Sequence, residues 1–469
     1  MTTFSKNNQA HTTNNSPSPL TDMTRRQALL TALFGAGGIG LRSLATGLPT
    51  AFLLNPKKAM AEAAAAPGVR VPQYLILSTT GSGDPINCNA PGAYGYANVT
   101  NAPQFDKAMG GGSNDLTLGG TSYKAANVWA TLPPAVLDRT TFFHHATQTI
   151  VHPDEPKVLR CFDNIRTDPV AAMVALANQP VLGTIQREPV SLGGDLFVAQ
   201  GKAVPNLSPL ALQQTLLNPT GTANNLNLLT NLQAMRDQDL DALNAVFKAS
   251  GSKAEQAYLD KLALSQSQVR QISQSLINTL ASIKDNSTDA QMIAACVLFR
   301  MNVTAAVGIH VSWGGDNHVD SMWRSEVGQH TSALASLNNL FKTYLPGAGG
   351  ADDLSDKVTF ATMQVFGRVL NSDPSQAGRA HNGQHSVGLM IGKNVKSGVV
   401  GGLVTNQAGT PICAPFDSAT GTINPGGDVQ LADSLCSYGR TIGGACGMAD
   451  TTVANVINTG SMVKGALVS

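Results

Sequence analysis

Short apolar runs alternate along the chain with stretches of helical periodicity. Three of these runs end abruptly in polar or glycine-rich sequence, at 73–80 ("QYLILSTT"), 305–313 ("AAVGIHVSW") and 358–366 ("VTFATMQVF"). Apolar residues recur at helical spacing in 289–303 and 330–345, each just before one of the runs. Strands that are apolar on both faces are typical of parallel sheets covered by helices. The pattern predicts an α/β fold with a mostly parallel sheet sandwiched by helices.

A long polar stretch with helical periodicity interrupts this alternation. Residues 232–249 and 253–284 carry apolar positions at helical spacing, and "SGS" separates them as in a helical hairpin. We therefore predict a single α/β domain over 66–469, in which 168–288 is a largely helical insertion or cap. Such a hairpin serves packing more often than binding.

The N-terminal segment has the features of an export signal. "MTRRQALLTALFGAGGIGL" resembles a twin-arginine signal, and a small-x-small cleavage site follows at Ala59-Met60-Ala61. Residues 1–65 are predicted to be a signal peptide and leader, with an uncleaved anchor helix as the alternative. The expected location is periplasmic or extracellular, with no membrane span after cleavage.

The charge balance changes once this segment is set aside. Residues 1–61 hold six basic residues and one acid, whereas the rest of the chain holds 25 basic and 29 acidic residues. A weakly acidic body has no bulk attraction for nucleic acid, so that class of partner is excluded.

All six cysteines follow the predicted signal. An even number in an oxidising compartment permits disulfides. Cys436 and Cys446 lie in "CSYGRTIGGAC", which we interpret as a glycine-rich loop, and they are predicted to pair. Free buried thiols are the alternative, favoured for Cys296 in its apolar segment.

Polar side chains collect where the predicted strands end. In an open parallel sheet, ligands bind beyond the carboxyl ends of the strands. Gly314 and Gly315 let the chain turn sharply there. Carboxylate and imidazole groups favour Zn²⁺, Mn²⁺ or Mg²⁺, so the pattern predicts a divalent-cation site. The candidate ligands are Asp84, His152, Asp316, His318 and His381.

Three segments carry a family resemblance. "VSWGGDNH", "VTFATMQVFGR" and "GRAHNGQHSVGLMIGKNVKSGVVGG" resemble the C-terminal half of the domain-of-unknown-function 1501 family, which is related to the alkaline phosphatase and sulfatase superfamily. The resemblance implies an alkaline-phosphatase-like fold and twin-arginine export. It matches Asp316, His318, Arg368, His381 and Asn382 to family motif positions, and His152 and Asp84 less directly.

Roles are also expected for the residues around the ion. Arg368 is expected to neutralise a substrate anion. Gln364, Asn382 and His385 are expected to support the ligands. The superfamily nucleophile lies near the end of the first strand, where Thr79, Thr80 and Ser82 are available.

Two departures from the family pattern remove negative charge. Gln364 replaces a glutamate and Ala380 replaces an aspartate. Because ligand charge holds such cations, the sequence favours one metal over two.

Two functions remain open at this point. One is a metal-dependent hydrolase of a small anionic phosphate or sulfate ester. The other is a catalytically attenuated relative that binds a ligand or an envelope protein.

Overall fold

A computed structural model describes most of the chain beyond the N-terminal segment. It covers residues 72–83, 85–99, 114–162, 168–182, 188–196, 198–204, 206–217, 238–239, 241–253, 255–256, 259–260, 263, 274–319, 324–371 and 379–468. The predicted export signal, its cleavage site, Asp84 and parts of the predicted helical insertion lie outside these ranges.

A seven-stranded mixed sheet forms the centre of the domain. Its strands are β1 (Tyr74–Thr80), β2 (Thr140–His145), β3 (Val190–Ser191), β4 (Ala306–Ile309), β5 (Val358–Gln364), β6 (Ser386–Ile391) and β7 (Gly398–Val400), in the order β7-β2-β6-β5-β1-β4-β3. All neighbouring pairs are parallel except those of β6, which runs antiparallel to both β2 and β5. The predicted mostly parallel sheet is confirmed, with this one reversed strand.

Helices cover both faces of the sheet. The α-helices of the described residues include α1 (Pro134–Leu137), α2 (Glu155–Leu159), α3 (Val170–Leu182), α4 (Pro209–Leu217), α5 (Gln274–Ala281), α6 (Thr288–Arg300), α7 (Arg324–Asn339), α8 (Ser434–Ala445) and α9 (Asp450–Ala454). Small two-stranded pairs lie outside the main sheet, among them Gly367–Arg368 with His381–Asn382. None of the helices within the described ranges is long and apolar enough to cross a bilayer.

Strand β1 shows why both faces need covering. All seven of its residues are buried. Ile76 belongs to a core shared with α6 and α7, whereas Leu75 and Leu77 belong to a second core shared with α3 and α8. Side chains alternate across a strand, so a strand that is apolar throughout must be buried on both sides.

Part of the predicted insertion belongs to the main domain. Helix α3 packs in the core beneath β1, and Val190–Ser191 pairs with β4 as the edge strand of the sheet. Within 168–288, these two elements are therefore integral to the sheet layers.

The predicted Cys436–Cys446 disulfide is wrong. "CSYGRTIGGAC" is helix α8 and its C-cap rather than a loop, so the two cysteines lie at opposite ends of one helix. Ten residues along a helix span about 15 Å, far beyond bridging distance. The three glycines of this segment suggested a loop, but in the structure they belong to the helix. Two of them allow neighbours to pack closely against α8, because a Cβ at Gly443 would lie 2.9 Å from Val453 and one at Gly444 would lie 2.7 Å from Met462.

Candidate metal centre

Four predicted ligands meet at the edge of the sheet where β1, β4 and β5 end. His152 opens a short 3₁₀ turn after β2, Asp316 and His318 follow β4, and His381 lies in the small pair after β5. One ligand atom from each residue lies within 4.8 Å of every other. Three separate segments of the chain therefore build one constellation.

The individual distances suit a tetrahedral ion. Asp316 Oδ1 lies 3.1 Å from His318 Nε2 and 3.8 Å from His381 Nε2, and Asp316 Oδ2 lies 3.5 Å from His152 Nε2. The Nε2 atoms of His318 and His381 are 2.7 Å apart. Ligands about 2.0–2.1 Å from a tetrahedral Zn²⁺ lie roughly 3.3 Å from one another. An ion would therefore separate the His318 and His381 nitrogens, now 2.7 Å apart, and draw together ligand atoms that lie up to 4.8 Å apart.

Backbone carbonyls orient two of the imidazoles. His152 Nδ1 lies 2.6 Å from the Gly81 carbonyl, and His381 Nδ1 lies 2.6 Å from the Ile150 carbonyl. In a neutral ring that donates from Nδ1, the free lone pair is on Nε2, which is the atom facing the cluster. Metal-binding histidines are commonly fixed by such a hydrogen bond from the second nitrogen.

Phe366 forms an apolar wall behind the histidines. Its buried ring stacks on His381 with centroids 4.1 Å apart, and meets His152 edge-on at 5.0 Å. The other side is open, since the side chains of Asp316 and His318 are 45% and 46% exposed. A site closed on one side and open on the other leaves room for a further ligand, as catalytic rather than structural metal sites do.

The local charges favour the metal-binding protonation states. Partial burial raises the pKa of Asp316, but the hydrogen bond and charge of Arg368 lower it further, so the net pKa lies below its usual range. Partial burial lowers the pKa of His381, with the nearby positive charge of Arg368 acting in the same direction. An ionised carboxylate and a neutral imidazole are the forms that bind metals.

Arg368 does not have the predicted substrate-facing role. Its side chain is fully buried, and its NH2 donates to Asp316 Oδ1 at 2.8 Å. It also contacts loop carbonyls: Nε donates to Gly83, NH1 to Arg379, and NH2 to Ser82 and Gly315. In addition, NH1 lies 3.5 Å from Nε2 of His318. With its donors directed at the protein, Arg368 positions Asp316 and joins the loops around the site.

A buried ion pair that the sequence analysis missed supports the Asp316 loop. Glu326, on α7, accepts from Arg379 NH2 at 2.8 Å and from Asn317 Nδ2 at 2.6 Å. The Arg379 backbone N–H donates to the Asn317 carbonyl. Arg379 directly precedes Ala380 and His381 in "GRAHN", which is the signal that could have found it. Nothing local in the sequence marks Glu326 as its partner.

The remaining predicted residues form no described hydrogen bond with the four ligands. Asn382 Oδ1 accepts from the N–H groups of Gln384 and His385, and so caps a turn. His385 belongs to a separate buried chain, in which its Nε2 lies 2.8 Å from His144 Nδ1. The amide of Gln364 is buried and has no hydrogen-bond partner among the described residues. These three predicted supporting roles are not observed.

Two of the three nucleophile candidates have hydroxyl oxygens that accept backbone hydrogen bonds. Thr79 Oγ1 accepts from the Asp195 N–H, and Thr80 Oγ1 accepts from the Ser82 N–H. Both threonines are buried, whereas Ser82 is half-buried. Ser82 is the most accessible of the three hydroxyls.

Comparison of the sequence with known protein families and with curated proteins finds no match. The donor set of three imidazoles and one carboxylate fits Zn²⁺ best among the expected cations.

Proposed function

We propose that this chain is an exported, divalent-cation-dependent hydrolase of phosphate or sulfate esters, with one ion held by His152, Asp316, His318 and His381. The observation that carries the proposal is the convergence of two carbonyl-oriented imidazoles on the Asp316 carboxylate. The family resemblance supplies the ester class, and the site supplies the ligands.

The residues of the chain prepare this centre in three ways. Arg368 holds the Asp316 carboxylate in place and ionised. Phe366 excludes water behind the imidazoles. The exposed side leaves access for a substrate oxygen. A bound dication supplies Lewis-acid chemistry at that position.

The rim of the site favours an ester with an apolar substituent. Ile150 and Val151 directly precede His152, and Val319 directly follows His318; all three are large exposed hydrophobic residues, Val319 at 83%. Ligand sites are commonly lined by apolar side chains around a few polar groups. We expect the apolar part of the substrate to lie against this rim.

Metal content is the first test. Purified mature protein should contain about one Zn²⁺ per chain after loading, and calorimetric titration should give one site. Replacing an exposed ligand with His318→Ala, or removing the ligand charge with Asp316→Asn, should weaken binding by tenfold or more. His310→Ala removes a histidine outside the cluster and should leave binding unchanged. Equal binding by all four proteins would overturn the site.

Turnover and rim selectivity come next, using Zn²⁺-, Mn²⁺- and Mg²⁺-loaded protein. Hydrolysis of 4-nitrophenyl phosphate or sulfate should depend on the ion and be lost in His318→Ala. Octylphosphonate should bind more tightly than methylphosphonate, and Val319→Ser should reduce that preference. Ile423→Ser, at an exposed apolar residue elsewhere, is the matched control.

The geometry also supports the second candidate, a metal-binding relative without esterase activity. Arg368 is occupied by protein acceptors, Gln364 brings no charge, and Ala380 presents an exposed methyl group beside His381. Stoichiometric metal binding without turnover of either ester would favour this candidate.

A further inference from the structure

Two cysteines that are distant in sequence lie together beneath the segment that carries His152. Cys161 follows helix α2, and Cys436 lies in the first turn of α8; both are buried. Cys436 Sγ is 3.6 Å from the Cys161 carbonyl oxygen, and Cys161 Sγ is 3.9 Å from the carbonyl oxygen of Leu435, the neighbour of Cys436. Each sulfur therefore reaches the backbone beside the other.

The local backbone is shaped around this contact. Cys161 has a left-handed φ of 49°, a conformation that L-residues rarely adopt. Gly439, three residues after Cys436 on the same helix, leaves space for the Cys161 sulfur, since a Cβ at Gly439 would lie 2.8 Å from it. The neighbouring Cys436 thiol, together with burial, raises the pKa of Cys161.

We propose that Cys161 and Cys436 are a disulfide-forming pair, and that the bond ties the segment after His152 to helix α8. The sulfurs of the other buried cysteines lie near different groups. Cys88 Sγ is 3.5 Å from Asn87 Oδ1, Cys413 Sγ is 3.6 Å from the Ala414 carbonyl oxygen, and Cys296 lies inside α6. Cys446 is at the far end of α8.

The bond forms by thiol–disulfide exchange with a disulfide oxidant, such as glutathione disulfide or an oxidised thiol–disulfide oxidoreductase. One cysteine thiolate attacks the oxidant and releases one thiol. The second cysteine thiolate then attacks the mixed disulfide and releases the other. The protein loses two electrons and two protons, and the oxidant becomes two thiols. Because both cysteines are buried in the folded chain, exchange is fastest during folding, before Cys161 packs against α8.

Peptide mapping tests the pairing directly. Full-length protein refolded with reduced and oxidised glutathione is denatured, alkylated without reductant and digested. The expected result is one linked peptide pair containing Cys161 and Cys436, with the other four cysteines alkylated. Six alkylated thiols, or a bond that uses Cys413 or Cys446, would overturn the proposal.

Matched variants test the consequence of the bond. Cys161→Ser and Cys436→Ser should each lower the melting temperature by several degrees in the oxidised protein, and reductant should remove most of that difference. Cys296→Ser is the control for loss of a buried thiol, and its effect should not depend on the redox state. A redox-independent loss in all three variants would also contradict the cross-link.

Discussion

The guanidinium of Arg368 lies 2.8 Å from the Asp316 carboxylate, yet Arg368 is fully buried while the Asp316 side chain is 45% exposed. One residue thus links the interior of the domain to the open face of the candidate metal centre. Its carbonyl partners, at Ser82, Gly83, Gly315 and Arg379, lie in the loop after β1, the loop after β4 and the segment before His381. The pair fixes both the position of the carboxylate and the spacing of the loops.

Arg368→Lys is expected to damage both stability and metal affinity although it keeps the charge. A lysine ammonium is a compact charge that cannot reach the same set of acceptors as the planar guanidinium. Leaving buried carbonyls unsatisfied should lower the free energy of unfolding by about 3 kcal/mol, and Zn²⁺ affinity should fall by about tenfold as Asp316 loses its support. Urea denaturation and calorimetric titration measure the two effects.

Arg139→Lys is the matched control for this exchange. Arg139 is half-buried and contacts the Ser355 carbonyl and exposed Asp356. Its replacement should change stability by less than about 1 kcal/mol and leave the metal site untouched. Similar losses in both variants would show that Arg368 has no special role.

Gly314 and Gly315 are expected to respond differently to alanine. Gly314 has a φ of 130°, and a Cβ there would lie 2.7 Å from Pro85 and 3.0 Å from Glu326. Gly315 has a φ of 56°, with its nearest neighbour at 3.8 Å. Gly315→Ala should cost about 1 kcal/mol of left-handed strain, whereas Gly314→Ala should cost at least 2–3 kcal/mol more through overpacking and shift the Asp316 loop.

Unfolding free energies and Zn²⁺ titrations of the two single variants check this contrast. Equal stability losses would mean that the sharp turn after β4, and not the close approach to Pro85 and Glu326, is what requires the glycine pair.

The sequence predicted the sheet edge better than it predicted the contacts that organise it. The run 73–80 contains β1 (Tyr74–Thr80), all seven residues of which are buried. The run 305–313 gives only Ala306–Ile309, since the N–H groups of His310 and Val311 turn to the side chains of Gln291 and Ser78. The apolar pattern predicts which residues are buried. It does not predict where the backbone stops pairing with a neighbouring strand and bonds to polar side chains instead.

The same limit applies to the site. The sequence correctly predicted that His152, Asp316, His318 and His381 lie close together, because parallel strands end at the same edge of a sheet. It could not show that Arg368 faces inward, because an arginine at a strand end looks the same in sequence whether it binds substrate or loop carbonyls.

The buried Glu326–Arg379 pair gives a prediction about the loop that carries Asp316. Both side chains are fully buried, and Glu326 also accepts from Asn317. Glu326→Ala leaves a buried guanidinium without its counter-charge, so we expect a loss of about 3–5 kcal/mol in unfolding free energy. Glu326→Gln keeps an acceptor and should lose less.

Asp356→Ala is the control for losing a paired carboxylate. Asp356 is exposed and pairs with Arg139 and Lys393, so its removal should cost less than about 1 kcal/mol. A Glu326→Ala loss no greater than that of the control would contradict a structural role for the buried pair.

Four buried histidines make stability depend on pH. Burial lowers the pKa of His144 to about 4, lowers those of His145 and His330 to about 3, and lowers that of His385 well below its usual value. In the unfolded chain these groups titrate near pH 6.5. Between about pH 6.5 and 4 the unfolded state binds more protons than the folded state. The free energy of unfolding is therefore unaffected by these groups above pH 6.5 and decreases as the pH falls towards 4.

His145→Phe isolates one member of this group. Its Nδ1 has no hydrogen-bond partner among the described residues, and its ring stacks on Tyr438 with centroids 5.0 Å apart, so an apolar ring can take its place. A histidine held neutral by burial contributes a loss of about 2 kcal/mol between pH 7 and pH 5. Urea denaturation at the two pH values should show that His145→Phe loses about 2 kcal/mol less than the wild type. His144→Phe, which breaks the contacts to His385 and the Pro91 carbonyl, should be destabilised already at pH 7. An unchanged difference between pH 7 and pH 5 in His145→Phe would mean that His145 does not titrate on unfolding in this range.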